Sequence, residues 1–476
     1  MYVVKPPKKM PDEDAESTGT KTPKRRPLQL LLRIYGPQVE HLINRNDELA
    51  ILRRLARKHI GPRMLGTFSN GRFEEYLHAR TLEAQDLRIP ETSKQIAKRM
   101  RELHDGIELL DEEVDAGPKI LLNWDDWVDR CEKVICWLDE QVRRAESDSE
   151  PKPKATYTRL GLVCGLEWPL FRQTYDKYRS RLLKESGGES GIRKKMVFAH
   201  NDTQYGNLMR LQPSGESPLL QPSNQHKQLV VIDFEYAGQN TIGLEFVNHF
   251  TEWCYNYHHP EKSYVCNTKA YPTAEEQYGF VRSYVMHRPQ FNPAASATPM
   301  MEGRDKTNIS DFMLDARAPP EGVASDYDVE EKAREKKVEE DIQRLLHETR
   351  LWRIANSAKW VAWGIVQAKV PELDEPKKSV KTALLDKVKH SLHPRPDPLD
   401  QEEKEQKEDA KHDRPEGRTQ EEAHAEGEEE ESAEFDYLAY AQDRAMFFWG
   451  DCLQMGLIKE EELPERMKKM IKIVPY

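Results

Sequence analysis

The sequence has no run of 18 apolar residues, which excludes an ordinary transmembrane helix. Its opening residues, Met1-Tyr2-Val3-Val4-Lys5-Pro6-Pro7, lack the apolar stretch of a secretory signal. Six cysteines, at 131, 136, 164, 254, 266 and 452, form no Cys-x-x-Cys pair and are too sparse for a disulfide framework. They read as free thiols in a reducing compartment, and the expected location is cytoplasmic. No concentrated basic stripe is present, which argues against nucleic acid as a ligand. No internal repeat with a period of about 20–50 residues occurs.

What is present begins with charge. The formal net charge of −11 equals the net charge of Asp400–Glu434 alone, where 16 acidic residues face 5 basic ones. Between Leu399 and Phe435 this stretch holds no large apolar residue, so it has little to bury against its ordering entropy. The expectation is a disordered acidic insertion in an otherwise neutral chain.

Residues 1–80 read as a small β-rich lobe. Strands are expected at Tyr2–Val4 and Leu28–Tyr35, separated by a polar loop from Lys8 to Arg26. A helix follows over Asn46–Lys58, where Leu49, Leu52, Leu55 and Ala56 recur at helical spacing and Gly61-Pro62 stops it. Two more strands, Met64–Phe68 and Phe73–Tyr76, turn at Asn70-Gly71. From Glu91 the pattern is helical, at Lys94–His104, Trp124–Arg144 and Trp168–Leu183. Short apolar runs at Met196–Ala199 and Leu229–Ile232 each enter a polar cluster, and helices over Val338–Lys369 and Tyr437–Leu457 close the fold. The resulting division is 1–80, 81–290, a linker or insertion at 291–337, a helix at 338–371, the insertion 372–434, and 435–476. The expected class is α+β, a bilobal layout like that of a kinase, with a small β-rich N-lobe and a large α-helical C-lobe.

His200-Asn201-Asp202-Thr203-Gln204-Tyr205-Gly206-Asn207 spells H-x-D-x-x-x-x-N directly after an apolar run, and Val231-Ile232-Asp233-Phe234-Glu235 follows. Phosphoryl transfer needs an acid to orient or deprotonate the attacking hydroxyl and oxygen ligands for Mg²⁺ beside the transferred phosphate. Asp202 suits the first role, Asn207 and Asp233 the second, and His200 is read as a brace. The first motif alone arises by chance in a few per cent of chains this long; the Asp233 motif downstream makes coincidence far rarer. In the first lobe, Arg33 on the second strand is placed to hold ATP phosphates, with Glu48 on the next helix as its ion-pair partner. Taken without the downstream motifs, those two residues also fit an ordinary exposed strand and helix.

His200–Asn207, Val231–Tyr236 with Asn248–Trp253, and Trp360–Lys369 (WVAWGIVQAK) resemble the choline/ethanolamine kinase family. Leu31–Gly36, His59–Gly66 and Tyr437–Arg444 (YLAYAQDR) are similar to the same family, and the wording is nearest to its fungal choline kinases. The resemblance implies a protein-kinase-like fold that uses ATP and Mg²⁺ to phosphorylate choline or ethanolamine, a small-molecule partner. It also implies a headgroup pocket of Glu252, Tyr257, Trp360, Trp363 and Tyr440, with Glu235 and Tyr236 at its rim and Gln204 near the substrate hydroxyl. Glu74–Leu77, including Glu75, Tyr76 and Leu77, would be the hinge that meets adenine. The pocket has a physical logic, since a quaternary ammonium donates no hydrogen bonds and is held best by aromatic faces beside a carboxylate. An isolated Trp pair at i, i+3 is more often core, and it is the neighbouring motifs that favour the cage.

Two departures from the family pattern stand out. The turn that covers the nucleotide phosphates should precede the strand at Tyr2 and is not in the sequence, so weaker ATP binding or a lower rate is expected. Glu245 stands where the family often has Asp. Three readings result: a choline kinase, an ethanolamine or dual-specificity kinase, and, from a different class, an N-terminally truncated inactive scaffold working through its acidic insertion. A homodimer is open under each.

Overall fold

The computed structural model describes residues 1–6, 29–35, 45–58, 60–147, 161–289, 326–368, 370 and 435–475. The chain forms two units, Met1–Gln367 with Tyr437–Tyr476, and Ala368–Asp436; every element named here belongs to the first. The acidic stretch Asp400–Glu434, the loop Lys8–Arg26 and all of 291–325 lie outside the described residues.

The first lobe is a sheet of β1 (Tyr2–Val4), β2 (Leu30–Ile34), β3 (Met64–Phe68) and β4 (Gly71–Glu75), with α1 (Arg45–Arg57) between β2 and β3. All its pairings are antiparallel in the order β1-β2-β4-β3, with Arg33 directly opposite Arg72 and a register shift between Met64 and Gly66. Leu52 and Leu55 are buried, as the helical spacing requires. The turn falls at Ser69-Asn70 rather than at Asn70-Gly71, and Gly71 already belongs to β4. A Cβ there would lie 2.5 Å from the Arg33 carbonyl oxygen and from the Phe68 ring, so close strand approach, not turn geometry, demands the glycine.

The rest of the unit runs β5 (Ala79–Thr81), α2 (Pro90–Gly106), α3 (Asp111–Ala116), α4 (Lys119–Ser147), α5 (Trp168–Glu185), α6 (Gly188–Arg193), β6 (Met196–Ala199), β7 (Leu208–Leu211), β8 (Leu229–Val231), β9 (Gly238–Thr241), α7 (Ile242–Glu252), α8 (Ala274–Met286), α9 (Asp326–Gln367), α10 (Tyr437–Gln454) and α11 (Glu465–Lys468). Among the described residues β5-β7-β8 form one small sheet and β6-β9 another. Residues 79–81 pair with Met209–Leu211, so this segment joins the second sheet. The division expected at residue 80 thus falls inside a strand. Gly238-Gln239-Asn240-Thr241 forms a buried strand through its backbone ladder to Met196–Ala199, with no apolar alternation to announce it.

α9 begins at Asp326, twelve residues before the expected start at Val338, and so takes residues 326–337 out of the linker. Its first half carries good helix formers and charged pairs at i, i+4, such as Lys336–Glu340 at 3.8 Å, without an apolar stripe to mark it. Its second half is buried nearly all round, from Leu351 to Val366. There it packs on α4, α7 and α10, beside a core of Trp168, Phe171, Trp352, Phe448 and Trp449. All six cysteines are free thiols, as expected. No helix among the described residues is long and apolar enough to cross a membrane.

Candidate active site

Both polar clusters follow short strands, and each contains a non-glycine residue with left-handed backbone: Asn201 at φ 66° after β6 and Asp233 at φ 64° after β8. Such conformations persist only where surrounding contacts impose them, and they concentrate at functional loops. Asn201 is held by three of its own groups. Its Nδ2 donates to the Tyr236 carbonyl oxygen at 3.0 Å, its Oδ1 accepts from Asn240 Nδ2 at 2.7 Å, and its N–H donates to Glu245 Oε2 at 3.0 Å. Glu245 also accepts from Thr203 Oγ1 at 3.1 Å, and burial pushes its carboxyl up to about 7. Glu245 therefore holds the start of the loop at two points, Asn201 and Thr203.

His200 ties the two loops together. Its Nε2 donates to the Ile232 carbonyl oxygen at 2.9 Å, while Nδ1 accepts the Asp202 N–H at 3.3 Å. Burial lowers its pKa to about 4, so it stays neutral in this tautomer. Asn207 Nδ2 donates to the Asp202 carbonyl oxygen at 2.9 Å and to Asp202 Oδ2 at 2.8 Å, which leaves the Asn207 amide oxygen to offer a cation. Desolvation and the nearby Glu252 charge push Asp202 well above the usual carboxylate range, opposed by Lys359. Gln204 Oε1 accepts the Gly206 N–H at 2.9 Å and caps the turn Tyr205–Asn207.

The expected Arg33–Glu48 pair is not formed. Arg33 Nη2 reaches across to Asp233, and Glu48 binds Arg72 Nη1 at 2.6 Å and Arg45 Nη1 at 2.7 Å. Register explains the exchange: Arg33 and Arg72 stand side by side on one face of the sheet, and each takes the acids nearest it. Arg72 also binds Glu74, while Glu75 binds Arg63 Nε at 3.0 Å, so both acids of the expected hinge are occupied by cations. Tyr76 and Leu77 lie in the connection between β4 and β5. Glu235 sits 4.0 Å from Arg33 and is pushed up to about 7 by burial and the Asp233 charge. With Tyr236 it lines an open cleft of about 1040 Å³ that Glu48 and Lys119 also border.

The aromatic residues meet. Trp360 and Trp363, one turn apart on α9, have ring centroids 5.5 Å apart, and Tyr236 lies 5.8 Å from Trp360. Trp363 Nε1 donates to Tyr236 Oη at 2.8 Å, and its ring is 5.7 Å from Tyr440 on α10. Tyr255 bridges Tyr440 (5.6 Å) to a stacked Tyr257 (5.5 Å), whose Oη donates to Glu252 Oε2 at 2.7 Å. Sequence reasoning missed Tyr255, Arg72, Arg444 and Lys359. Arg444 ends the YLAYAQDR segment, is fully buried, and donates to Tyr255 Oη at 3.1 Å; its charge faces Glu252. Lys359 is invisible to pattern reading because a helical lysine ordinarily points to solvent.

A small antiparallel sheet with one helix, a larger helical body, and two strained loops carrying an H-x-D-x-x-x-x-N motif and an Asp are together the plan of a phosphotransferase with a protein-kinase-like fold. Residues 13–449 match the family model described as choline/ethanolamine kinase. A choline kinase of Saccharomyces cerevisiae is 30% identical over 91% of this chain and 68% of its own length. A choline kinase of Schizosaccharomyces pombe is 33% identical over 71% of this chain and 65% of its own. An ethanolamine kinase of Saccharomyces cerevisiae is 26% identical over 91% and 67%. The chain thus spans about two thirds of the length of these relatives. It belongs to the choline/ethanolamine kinase family.

Proposed function

We propose that this chain transfers the γ-phosphoryl group of ATP to the hydroxyl of choline, giving phosphocholine and ADP. The observation that carries this reading is the meeting of two sites in one unit. An acid loop with Asp202, Asn207 and Asp233 lies beside a run of aromatic faces that ends in a Tyr257–Glu252 carboxylate. The carboxylate and amide oxygens of Asp233 and Asn207 suit a hard divalent cation, and Mg²⁺ held there would offset charge on the phosphates.

Trp360, Trp363, Tyr440 and Tyr257 present faces to the trimethylammonium group and Glu252 balances its charge. Asp202 orients the choline hydroxyl and accepts its proton as the new O–P bond forms; the bond from the γ-phosphorus to the ADP oxygen breaks, and ADP leaves. The pressures that raise Asp202 make its carboxylate a better base, and the Lys359 charge opposes them. Arg33 exchanges Asp233 for a phosphate oxygen when nucleotide binds. Most of the rate enhancement is positioning, as this transfer requires little covalent assistance. The free thiols fit a cytoplasmic enzyme.

Ethanolamine is the second reading, favoured by the matching ethanolamine kinase and by the carboxylates at the pocket, which a primary ammonium can engage by hydrogen bonds. The test is ADP release with Mg²⁺ and ATP, in the presence of choline, ethanolamine or neither. Release dependent on choline is expected; release indifferent to both alcohols would contradict the reading.

A further inference from the structure

Lys359 precedes Trp360 on α9 and is 4% exposed. Its Nζ lies 3.5 Å from the Trp360 ring centroid and 4.7 Å from that of Tyr236. Among the described residues it makes no hydrogen bond and no ion pair within 4.0 Å; burial lowers its pKa to about 7 against the charges of Asp202 and Glu252, which act from beyond contact, so the ammonium form is the one present below neutral pH. Its other flank borders a small polar pocket lined by Asn123, Asn201, Asn240, Asn248 and Asn356. Burying an ammonium without a contact partner is costly unless something replaces its water, and here aromatic faces do. The Trp360 face is one of those assigned above to the substrate's own cation, and Tyr236 stands at the rim of the same pocket.

We infer that Lys359 is a specificity-determining residue: a tethered ammonium that takes the Trp360 and Tyr236 faces and so disfavours a fully methylated headgroup relative to a primary one. The inference rests on the choline/ethanolamine reading of the pocket. A trimethylammonium group draws its binding from aromatic area because it has no N–H to donate. A primary ammonium draws more from acceptors such as Glu252 and needs less aromatic area. Withdrawing two faces therefore costs choline more than ethanolamine. Repulsion by the Lys359 charge weakens both cations together and cancels in their ratio. That cancellation separates a specificity role from simple charge balance with Asp202 and Glu252, which would move both substrates alike.

The experiment is calorimetric titration of the full chain with choline and with ethanolamine, for wild type, Lys359→Met, Lys359→Gln and Lys359→Arg. The ratio of affinities, choline over ethanolamine, is expected to rise about fivefold or more in the Met and Gln variants, a size set by one freed cation–π face. Lys359→Arg keeps a cation that stacks on indole, and its ratio is expected to stay within about twofold of wild type. Met matches the stem of lysine and Gln keeps a polar end, so either one, folded by circular dichroism, suffices. A ratio unchanged or lowered in the neutral variants overturns the inference, whatever happens to the two affinities in common. Because the readout is binding, a wild type that binds both alcohols but phosphorylates neither would refute the phosphotransfer reading and leave this ratio test standing.

Discussion

Arg33 and Asp233, 200 residues apart in sequence, are joined by a single guanidinium nitrogen: Arg33 Nη2 donates to both Oδ1 and Oδ2 of Asp233, each at 2.8 Å. The group assigned to phosphate thus holds the group assigned to the metal, and each must release the other for catalysis. Arg33→Met should raise the KM for ATP about tenfold or more, the scale of one lost charge-assisted contact. The KM for choline should stay near wild type. Initial-rate kinetics with each substrate varied in turn will show it, and an unchanged KM for ATP would remove Arg33 from the nucleotide site.

Asp202 accepts Asn207 Nδ2 through Oδ2, and its N–H is engaged by His200. Asp202→Asn keeps the shape but removes the base and the charge. We expect kcat to fall by roughly 10²–10⁴, the usual worth of a positioned acid–base group, with the melting temperature near that of wild type. Near-normal turnover in this variant would sink the proposed mechanism.

Trp363 touches Tyr440 and Tyr437 by ring edges and Tyr236 by a hydrogen bond. Trp363→Ala should raise the choline KM by about 2- to 30-fold, the span of one cation–π face, while the ATP KM changes much less. Parallel increases in both constants would make Trp363 a core residue and nothing more.

The helices that carry the pocket are fastened at depth. Arg353 on α9 grips Asp451 on α10 through Nε (2.8 Å to Oδ1) and Nη2 (2.6 Å to Oδ1), with both side chains almost completely buried. Breaking such a pair strands a charge, so Asp451→Ala should cost about 3–5 kcal/mol in denaturant unfolding. Replacing both partners by apolar residues should cost much less, because no lone charge remains. Equal losses for the single and double variants would contradict this account.

Asp139 on α4 is buried, with Oδ1 lacking a partner, and desolvation pushes its carboxyl up to about 7. An unfolded Asp titrates near 4, so the folded state holds the proton more tightly. The stability this contributes is present at low pH and is lost as pH rises through about 7. Asp139→Asn does not suffer that loss. Its melting temperature should exceed that of wild type by about 2 °C or more near pH 8, and the gap should shrink toward pH 5. A gap independent of pH would show that Asp139 does not titrate in this range.

The two polar loops were legible because their spacing is itself the signal: Asn207 is hydrogen-bonded to Asp202, and the Ile232 N–H beside Asp233 donates to the Asn207 carbonyl oxygen. The lobe strands were legible from β-forming runs bounded by turns. Pairing was harder to read. Glu48 went to Arg72 rather than Arg33 because the partner is chosen by sheet register, which no local pattern encodes. β9 was missed because its buried polar residues are satisfied by partners distant in sequence, as Asn240 is by Asn201. The opening of α9 was missed because charge pairs, not an apolar stripe, sustain it. Lys359 was missed for the opposite reason: the second half of α9 is buried all round, so its one lysine has no solvent to reach.

The central claim is that Asp202 directs the γ-phosphoryl group of ATP onto choline. Its most direct test is transfer of labelled γ-phosphate from ATP in the presence of choline and Mg²⁺, with wild type and Asp202→Asn compared side by side. The account predicts label in phosphocholine with wild type and almost none with the variant. Label released only as inorganic phosphate, or equal phosphocholine from both proteins, would contradict it.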